Sequence, residues 1–545
     1  MPLSLKPLAM GPGSDRPEKW TRHVCSSYKK SMLIRLAVII PLIAVLPLPA
    51  SGQVRRELRV GVAAIPAILD PATALEGPIP FIARQVFETL VQYRDGTSDV
   101  EPALATQWAV SRDGLTWTFT LRSGVQFHDG TLLTAQLVAA SLERQIFPDH
   151  PLYPNPNEVW PRLMRGLPGV VKEVRAPDAK TVQIQLIQPY APLVTVLAHP
   201  GFSVTLTTPG EGGTTRWLGT GPYRIGEVAG GRIVLEAYLG YRAGPPRLER
   251  IVLVEVGSDD QAEAALDAGN LDLWLPPGPP RRIGGTLSLP GWHMGLLAMQ
   301  TEKDPFSRKK VRQAVAAALD SSLIGLAVEG GAVPLQSLFP PGVWGRWEGS
   351  PILTANPQEA KRLLAEAGFP KGIAPTLLIR EGPGVVDQAR IAEAMRLALD
   401  GAGISLTIRS EIPQVASQLA QHGDHELVLT EARVEGGDPH LFLYPLSASE
   451  GATRGASAVN LSFYRNSRLD DLLIRASQLA FRPERLRLYH RAQGILADEL
   501  PWIPLYVRLH WVVARPEVRN LRLHPSGFHR LDRVELAGSL FGIFR

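Results

Sequence analysis

The feature that most constrains the fold is one strongly patterned stretch, from Glu101 to Arg144. Within it, four large apolar residues alternate with three threonines from Leu115 to Leu121, which is the period of a half-buried strand. Turn residues flank this segment, and Thr134 stands where it can cap a following helix. The stretch contains no nucleophile, base or cluster of metal ligands, so we expect it to have a structural role and not to form a catalytic or metal site.

This stretch also resembles a known family. Its order, PALA…W…S.DG.TWTF.LR.GV.FHDG….TA..V..S.ER, is similar to that of the extracellular solute-binding proteins of family 5, the dipeptide-, oligopeptide- and nickel-binding proteins of bacterial importers. The resemblance covers roughly residues 58–525 and includes the phrases VFETLVQY, GTGPYRI and ALDAGNLDLW. One departure is Leu137, which stands where the family usually has an acidic residue, so the capping box of that helix is missing.

Helices and strands alternate along the chain, which predicts an α/β protein. The resemblance implies a two-lobed periplasmic binding protein, type II-like and of the large peptide-binding class, with an extra subdomain in lobe I. The expected divisions are a signal peptide at 1–52, lobe I at 53–295 with its inserted subdomain at about 80–205, lobe II at 296–504, and a return to lobe I at 505–545.

Several local elements follow from periodicity and capping residues. We expect a helix from Ile82 to Leu90, a strand from Leu271 to Trp274 and a crossing strand from Leu296 to Gln300. Asn356, followed by proline, predicts the start of another helix.

The formal charge of +5 invites a nucleic-acid interpretation. However, seven of the basic residues and only two of the acidic ones lie in residues 1–52, which leaves 50 of each sign in the remainder of the chain. A neutral body does not support a general phosphate-binding surface, so no nucleic-acid partner is expected.

The N-terminus predicts export. Basic residues precede an apolar run from Leu36 to Ala50, which prolines interrupt and which is shorter than the roughly 20 residues of a membrane span. Small residues end it, so cleavage is expected after Gly52, with an uncleaved anchor as the alternative and either Met1 or Met32 as the start. The single cysteine, Cys25, precedes the run, so the mature chain would have no disulfide and no lipid-anchoring cysteine. A free periplasmic protein is predicted.

Candidate catalytic and metal sites are weak. The segment from His422 to Glu426 has neither of the zinc-protease orders and reads as a solvated polar loop. His128 reads as a turn residue, and Ser307 with Lys310 matches a nucleophile pair only trivially, without a G-x-S-x-G motif. We therefore predict no enzyme activity, no cofactor and no metal site.

The most informative segment is the loop from Glu431 to Pro439. In peptide-binding members of the family, the matching loop carries a Trp and an Asp that holds the α-ammonium of the peptide. When Asp438-Pro439 is taken as the anchor, Glu435 falls on that Asp and Arg433 on the Trp. Glu435 would then bind a ligand ammonium, with Arg433 binding a ligand carboxylate or closing on Glu435, and Gly436-Gly437 leaving room for close ligand approach. The alternative is a structural surface pair between Arg433 and Glu435.

Other positions complete the predicted site. Arg380 lies near the place where dipeptide binders present an arginine to the peptide carboxylate, although its register differs by about two residues. Side chains that either line the cavity or have core or loop roles are Asp438, Phe442, Tyr444, Glu76 and Gln336.

The predicted function is the periplasmic substrate-binding component of an ATP-binding cassette (ABC) importer, which captures a short peptide or an amino-acid-derived solute by lobe closure. Its partners would be the ligand and an inner-membrane permease with its ATPase, and the protein would be a monomer. The alternatives are a nickel or metal-chelate binder, for which only His440 is well placed, and a ligand sensor without a transport role.

Overall fold

The computed structural model describes residues 56–164, 169–209, 215–282, 284–349, 352–382 and 384–537. The expected signal peptide and Cys25 lie outside these residues. The described chain mixes helices and strands, which confirms the predicted α/β class. In this part of the chain, no helix combines the length and apolar character needed to cross a membrane.

The strands, in chain order, are β1 (Glu57–Val62), β2 (Val91–Tyr93), β3 (Val100–Pro102), β4 (Ala105–Val110), β5 (Thr116–Leu121), β6 (Val171–Asp178), β7 (Thr181–Leu186), β8 (Leu206–Pro209), β9 (Thr215–Leu218), β10 (Tyr223–Ala229), β11 (Arg232–Ala237), β12 (Arg250–Glu255), β13 (Leu273–Trp274), β14 (Thr286–Met299), β15 (Ala332–Pro334), β16 (Thr376–Arg380), β17 (Thr407–Glu411), β18 (Leu427–Arg433), β19 (Trp502–Ala514), β20 (Val518–Arg519) and β21 (Glu535–Leu536).

The helices are α1 (Pro78–Val86), α2 (Ala135–Ile146), α3 (Val159–Leu163), α4 (Leu193–Val196), α5 (Asp259–Asp267), α6 (Lys309–Ala318), α7 (Ser321–Ala327), α8 (Pro357–Glu366), α9 (Gln388–Asp400), α10 (Pro413–His422), α11 (His440–Ser447), α12 (Ser467–Gln478) and α13 (Arg482–Glu499).

One large sheet runs through the molecule in the order β10-β11-β12-β1-β13-β19-β14-β18-β16-β17, with β15 added on β19. At one end β1 pairs in parallel with β12 and β13, and at the other β16 pairs in parallel with β17 and β18. The long antiparallel pair β14 and β19 joins these two ends. The predicted crossing strand therefore exists, but it begins at Thr286, ten residues before the expected start.

A second, four-stranded sheet has the order β4-β5-β7-β6. The alternation predicted for β5 is observed, since Trp117, Phe119 and Leu121 are buried and the threonines between them are only partly buried. Thr134 caps α2, as expected, because its hydroxyl accepts a hydrogen bond from the backbone N–H of Leu137. The apolar core of this sheet is continuous with buried residues of α11 and α13, which follow β18 in the chain.

Helix α1 differs from its prediction, which placed it from Ile82 to Leu90. It begins at Pro78, directly after Gly77, whose positive φ of 81° turns the chain into the helix. It ends at Val86 because Phe87 is extended, and the backbone carbonyl of Val86 accepts a hydrogen bond from Gly221. The β13 strand is also shorter than predicted.

The end of α1 explains two glycines of the GTGPYRI motif. A Cβ on Gly219 would lie 2.1 Å from the carbonyl oxygen of Val86, and a Cβ on Gly221 would lie 2.6 Å from the same atom. His128 completes this contact, since its Nδ1 accepts from Gly219 N–H at 3.2 Å and its Nε2 lies 3.1 Å from the carbonyl oxygen of Gly221. The motif therefore allows two backbone segments to touch, and His128 has a structural role.

We expect Gly219→Ala to destabilise the protein by about 1–3 kcal/mol, because an added methyl group here meets backbone that moves only at a cost. Urea unfolding measures the loss. Gly278→Ala is the matched control, since a Cβ there meets no atom within 4 Å. Equal stability of the two variants would contradict the assignment.

Candidate functional site

The loop between β18 and α11 is fixed by a buried ion pair. Asp438 is fully buried, and its two carboxylate oxygens accept hydrogen bonds at 2.8 and 2.9 Å from Nη2 of Arg485 on α13. The same carboxylate accepts from the backbone N–H of His440, where α11 begins. Asp438 therefore lies behind the loop and does not line the cavity described below, so we leave it out of the proposed ligand contacts.

The two glycines of the loop also serve packing. Gly436 and Gly437 have φ values of 59° and 67°, in the left-handed region that favours glycine. A Cβ on Gly436 would lie 2.6 Å from Leu441, and one on Gly437 would lie 2.9 Å from the side chain of Ser98. The expectation that these glycines make room for a ligand is wrong, because protein atoms already fill the space beside them.

A cavity of about 450 Å³ opens beside this loop. Its volume is in the range of small-ligand sites. Residues from β16, β18 and α11 line it together with residues from the first part of the chain. Its charged lining residues are three glutamates and three arginines, namely Glu76, Glu431, Glu435, Arg162, Arg380 and Arg433. The cavity therefore offers both signs of charge.

Glu435 lines this cavity, and its ion partner differs from the one considered. Oε1 of Glu435 lies 3.1 Å from Nη2 of Arg162, near the end of α3, and the Glu435 side chain is 16% exposed. This pair links the predicted subdomain of lobe I to the predicted lobe II. The alternative of an Arg433–Glu435 pair is not formed in the described structure.

Arg433 is held away from Glu435 by several other contacts. Its guanidinium donates to Glu76 and to the carbonyl oxygens of Leu75 and Ser526, each at 3.2 Å, and it lies 5.5 Å from the centre of the Phe528 ring. The side chain is 10% exposed, and burial lowers the pKa of Arg433. We conclude that Arg433 is a fixed part of the cavity wall.

Glu76 and His293 extend this wall. Nε2 of His293 lies 3.0 Å from the Glu76 carboxylate. This hydrogen bond is the main cause that lowers the pKa of Glu76 to about 2, and the positive charge of Arg433 adds to it. Burial lowers the pKa of His293, so its ring is neutral and can donate from Nε2. Glu76 was predicted to line the cavity, whereas no sequence signal pointed to His293.

A second cavity, of about 310 Å³, lies on the other side of these three residues. Glu76, His293 and Arg433 line both cavities, so they form the partition between them. Most of the remaining lining of the second cavity is apolar or aromatic, including Phe81, Leu275, Leu509, Trp511 and Phe528. The cleft thus has a charged part and an apolar part.

Arg380 differs from the other arginines of the charged cavity. It stands at the end of β16 and is exposed, and its side chain forms no ion pair with any described residue. Arg162 and Arg433 each pair with a glutamate. Arg380 is therefore the cation in this wall that remains available to a ligand.

Glu431, which no sequence signal indicated, also lines this cavity. It pairs with Arg508 at 3.3 Å and accepts a hydrogen bond from the hydroxyl of Tyr506 at 3.0 Å.

Aromatic residues of α11 form another part of the wall. Phe442 is buried against Phe339 and Trp502, and Tyr444 stacks on His440 with ring centres 4.7 Å apart. All three α11 side chains line the cavity. Burial lowers the pKa of His440 to about 4, so its imidazole is neutral at pH 7.

Gln336 lies outside both cavities. Its side-chain oxygen accepts a hydrogen bond from Leu353 at 3.2 Å. It therefore braces a loop, and we leave it out of the proposed ligand contacts.

The His422–Glu426 segment is only partly the solvated loop that was predicted. His425 is 6% exposed, and its Nε2 lies 2.9 Å from the carbonyl oxygen of Leu461. The Glu426 carboxylate accepts from the backbone N–H of Thr376 on β16. The segment ties neighbouring elements together. Among the residues that the structure describes, no group of three or more His, Cys, Asp or Glu side chains could hold a metal ion.

Comparison with known proteins identifies the family. Residues 99–454 match the family described as bacterial extracellular solute-binding proteins, family 5 Middle. This match spans well over half of the chain, and the protein belongs to that family. It is a family of periplasmic solute-binding proteins, and the resemblance inferred from the sequence is confirmed.

Individual relatives agree with this assignment. The chain is 29% identical over 505 residues to heme-binding protein A of Haemophilus influenzae, and the match covers 87% of this chain and 91% of the relative. It is 28% identical over 478 residues to a dipeptide-binding protein of Escherichia coli, covering 83% and 89%. The solved structure of HbpA2 from Haemophilus parasuis matches the fold with a TM-score of 0.80 at 24% identity, covering 88% of this chain and 99% of that structure. The two-lobed fold is thereby confirmed.

We expect Asp438→Asn to cost about 3–5 kcal/mol of stability, because it leaves the Arg485 guanidinium buried without its counter-charge. Asp471→Asn is the control, since Asp471 pairs with Arg475 at the surface, where such a pair contributes about 0–1 kcal/mol. Chemical unfolding compares the two variants. Similar losses in both would contradict the structural role of Asp438.

We also expect stability to fall between about pH 6.5 and pH 4, in part through His425. Burial lowers the pKa of His425 to about 4, so the unfolded chain takes up a proton before the folded one does. The stabilisation is complete above the unfolded pKa and is lost as the pH falls, by about 1.4 kcal/mol per pH unit for each such histidine. Unfolding of His425→Asn at several pH values should show a shallower slope, with the exposed His422→Asn as control. An unchanged slope in His425→Asn would contradict this.

Proposed function

We propose that the protein is the periplasmic substrate-binding component of an ABC importer and that its ligand is a short peptide or a peptide-like, amino-acid-derived solute. The observation that carries this proposal is the cavity of about 450 Å³, which offers the unpaired Arg380 and the Glu435 carboxylate to one ligand. A solute with both an ammonium and a carboxylate group matches these two charges.

The proposal includes closure of two lobes on the ligand. We take the lobes as residues 53–295 with 505–545, and 296–504. Glu435 in lobe II already reaches Arg162 in lobe I, and Arg433 in lobe II reaches Glu76 in lobe I. A ligand that contacts both lobes stabilises the closed state by its difference in affinity for the two states. Residues 1–52 would be the signal peptide, and the mature protein would act as a monomer without catalytic activity.

The ligand ammonium would compete with Arg162 for the Glu435 carboxylate. Because the side chain of Arg162 is 44% exposed, its guanidinium can turn towards water when a ligand arrives. Arg380 would bind the ligand carboxylate at the end of β16. The apolar second cavity could take an apolar part of the ligand that passes the partition at Glu76.

The experiment that tests the function is native mass spectrometry of the protein isolated from its own periplasm, which identifies the bound ligand. A zwitterionic, amino-acid-derived ligand supports the proposal. A nickel chelate, or heme as in the name of the Haemophilus influenzae relative, would contradict it while leaving the family assignment intact.

We expect Glu435→Gln to weaken binding of that ligand at least thirtyfold, because a ligand ammonium then stays desolvated without a counter-charge, at a cost of about 2–5 kcal/mol. Arg380→Gln should weaken it about tenfold or more, through loss of a charged hydrogen bond of about 1.5–3 kcal/mol. Isothermal titration calorimetry measures both.

Two matched controls accompany these variants. Glu366→Gln removes a carboxylate that pairs with Lys310 on the surface, and Arg409→Gln removes a cation on the neighbouring strand β17 that pairs with Glu411. Both should bind as the native protein does. Binding by Glu435→Gln within about threefold of native, which is under ~0.7 kcal/mol, would contradict the role of Glu435.

A further inference from the structure

A small cluster of arginines lies outside the ligand cleft. It surrounds a cavity of about 20 Å³ between α1 and the segment 520–533. The charged side chains that line the cavity are Arg84, Arg522, Arg530, Arg533, Asp95 and Asp532. This lining shares no residue with the charged ligand cavity.

The charges around this cavity do not balance. Asp95 pairs with Arg522 at 3.2 Å, and Asp532 accepts two hydrogen bonds from Arg530 at 3.0 and 2.7 Å. Each aspartate is thus already matched by one arginine. The side chains of Arg84 and Arg533 have no hydrogen-bond or ion-pair partner within the described part of the chain, which leaves two positive charges in excess.

Arg84 is the more constrained of these two cations. Its side chain is partly buried in the last turn of α1, whereas Arg533 is exposed. Burial, together with the nearby charge of Arg530, lowers the pKa of Arg84 to about 10, although the charges of Asp532 and Glu88 act in the opposite direction. A partly buried guanidinium without an ion-pair partner is unfavourable, so a bound anion would stabilise Arg84.

The histidine of this cavity does not supply a counter-charge to Arg84. His524 also lines the cavity, but its Nε2 faces the carbonyl oxygens of Arg94 and Thr97, and its Nδ1 accepts from the backbone N–H of Ser526. This leaves its Nε2 as the donor to those carbonyls, so the ring is neutral and its hydrogen-bonding positions are occupied. The space itself suits one particle of about the size of a water molecule, since about 10–15 Å³ of such volume is enough to hold one.

We propose that this cavity binds a single small monovalent anion of the size of chloride, with the guanidinium groups of Arg84 and Arg530 as its main contacts. The excess of two positive charges favours an anion over water, and the small volume suits a single small anion better than a larger one. The site lies apart from the charged cavity that is proposed to bind the solute.

The anion would also support the ligand cleft. The segment 520–533 that borders the cavity carries the Ser526 carbonyl and the Phe528 ring, both of which hold Arg433 in the partition. Phe528 lines both the anion cavity and the apolar cavity. An anion between Arg84 and Arg530 would therefore fix this segment onto α1 and stabilise the folded protein.

The test compares thermal unfolding in sodium chloride and in sodium gluconate at equal ionic strength, because gluconate is too large for the cavity. We expect a midpoint several degrees higher in chloride. Crystals of the native protein grown in bromide should show one anomalous peak in this cavity. Equal midpoints in the two salts, together with no bromide peak, would overturn the proposal.

Variants show whether the chloride-specific shift of the unfolding midpoint arises from this cavity. Arg84→Met keeps most of the side-chain length but removes the charge, and it should abolish both the chloride-specific shift and the bromide peak. Arg247→Met removes an exposed arginine that pairs with Glu535, and it should keep both. If Arg84→Met does not fold, Arg533→Gln replaces it and should reduce the shift. A shift that survives in the Arg84 or Arg533 variant would assign chloride binding elsewhere.

Discussion

The buried ion pair between Asp438 and Arg485 is the constraint on which the candidate site depends. It anchors the segment that carries Glu435, and it sets the start of α11, whose aromatic residues line the cavity. Thr195, from the first part of the chain, also reaches this carboxylate at 3.5 Å. A buried charge with its partner in place favours one geometry strongly, because every alternative leaves the charge unpaired. The loop can therefore present Glu435 to a ligand without being ordered by that ligand.

The partition of the cleft depends on the arginine at position 433. Where peptide-binding relatives are expected to carry a flat Trp, Arg433 donates to Glu76 and to two backbone carbonyls, and thereby joins two distant parts of the chain. A guanidinium suits this role, because its planar set of donors can serve several acceptors at once. The consequence is a charged cavity on one side and an apolar cavity on the other, with Glu76 as the most exposed member of the partition.

Much of the fold could be predicted from the sequence, because local signals agreed with each other. The alternation of β5 and the caps at Thr134 and Asn356 were predicted and are observed. The site was less predictable. Position along the chain indicated Glu435 and Arg380, but the partners Arg162 and His293 come from distant segments and carry no local signal. Asp438 illustrates the same limit, since only its contact with Arg485 shows that its carboxylate is occupied by the protein.

We propose that one cavity recognises both charges of a zwitterionic solute. The most direct measurement is a crystal structure of the protein with the ligand that copurifies from its own periplasm. We expect the ligand to occupy the cavity of about 450 Å³, with an anionic group in hydrogen-bonding contact with Arg380 and a cationic group on Glu435. A ligand that lies outside this cavity, or that fills it without touching either side chain, would contradict the account.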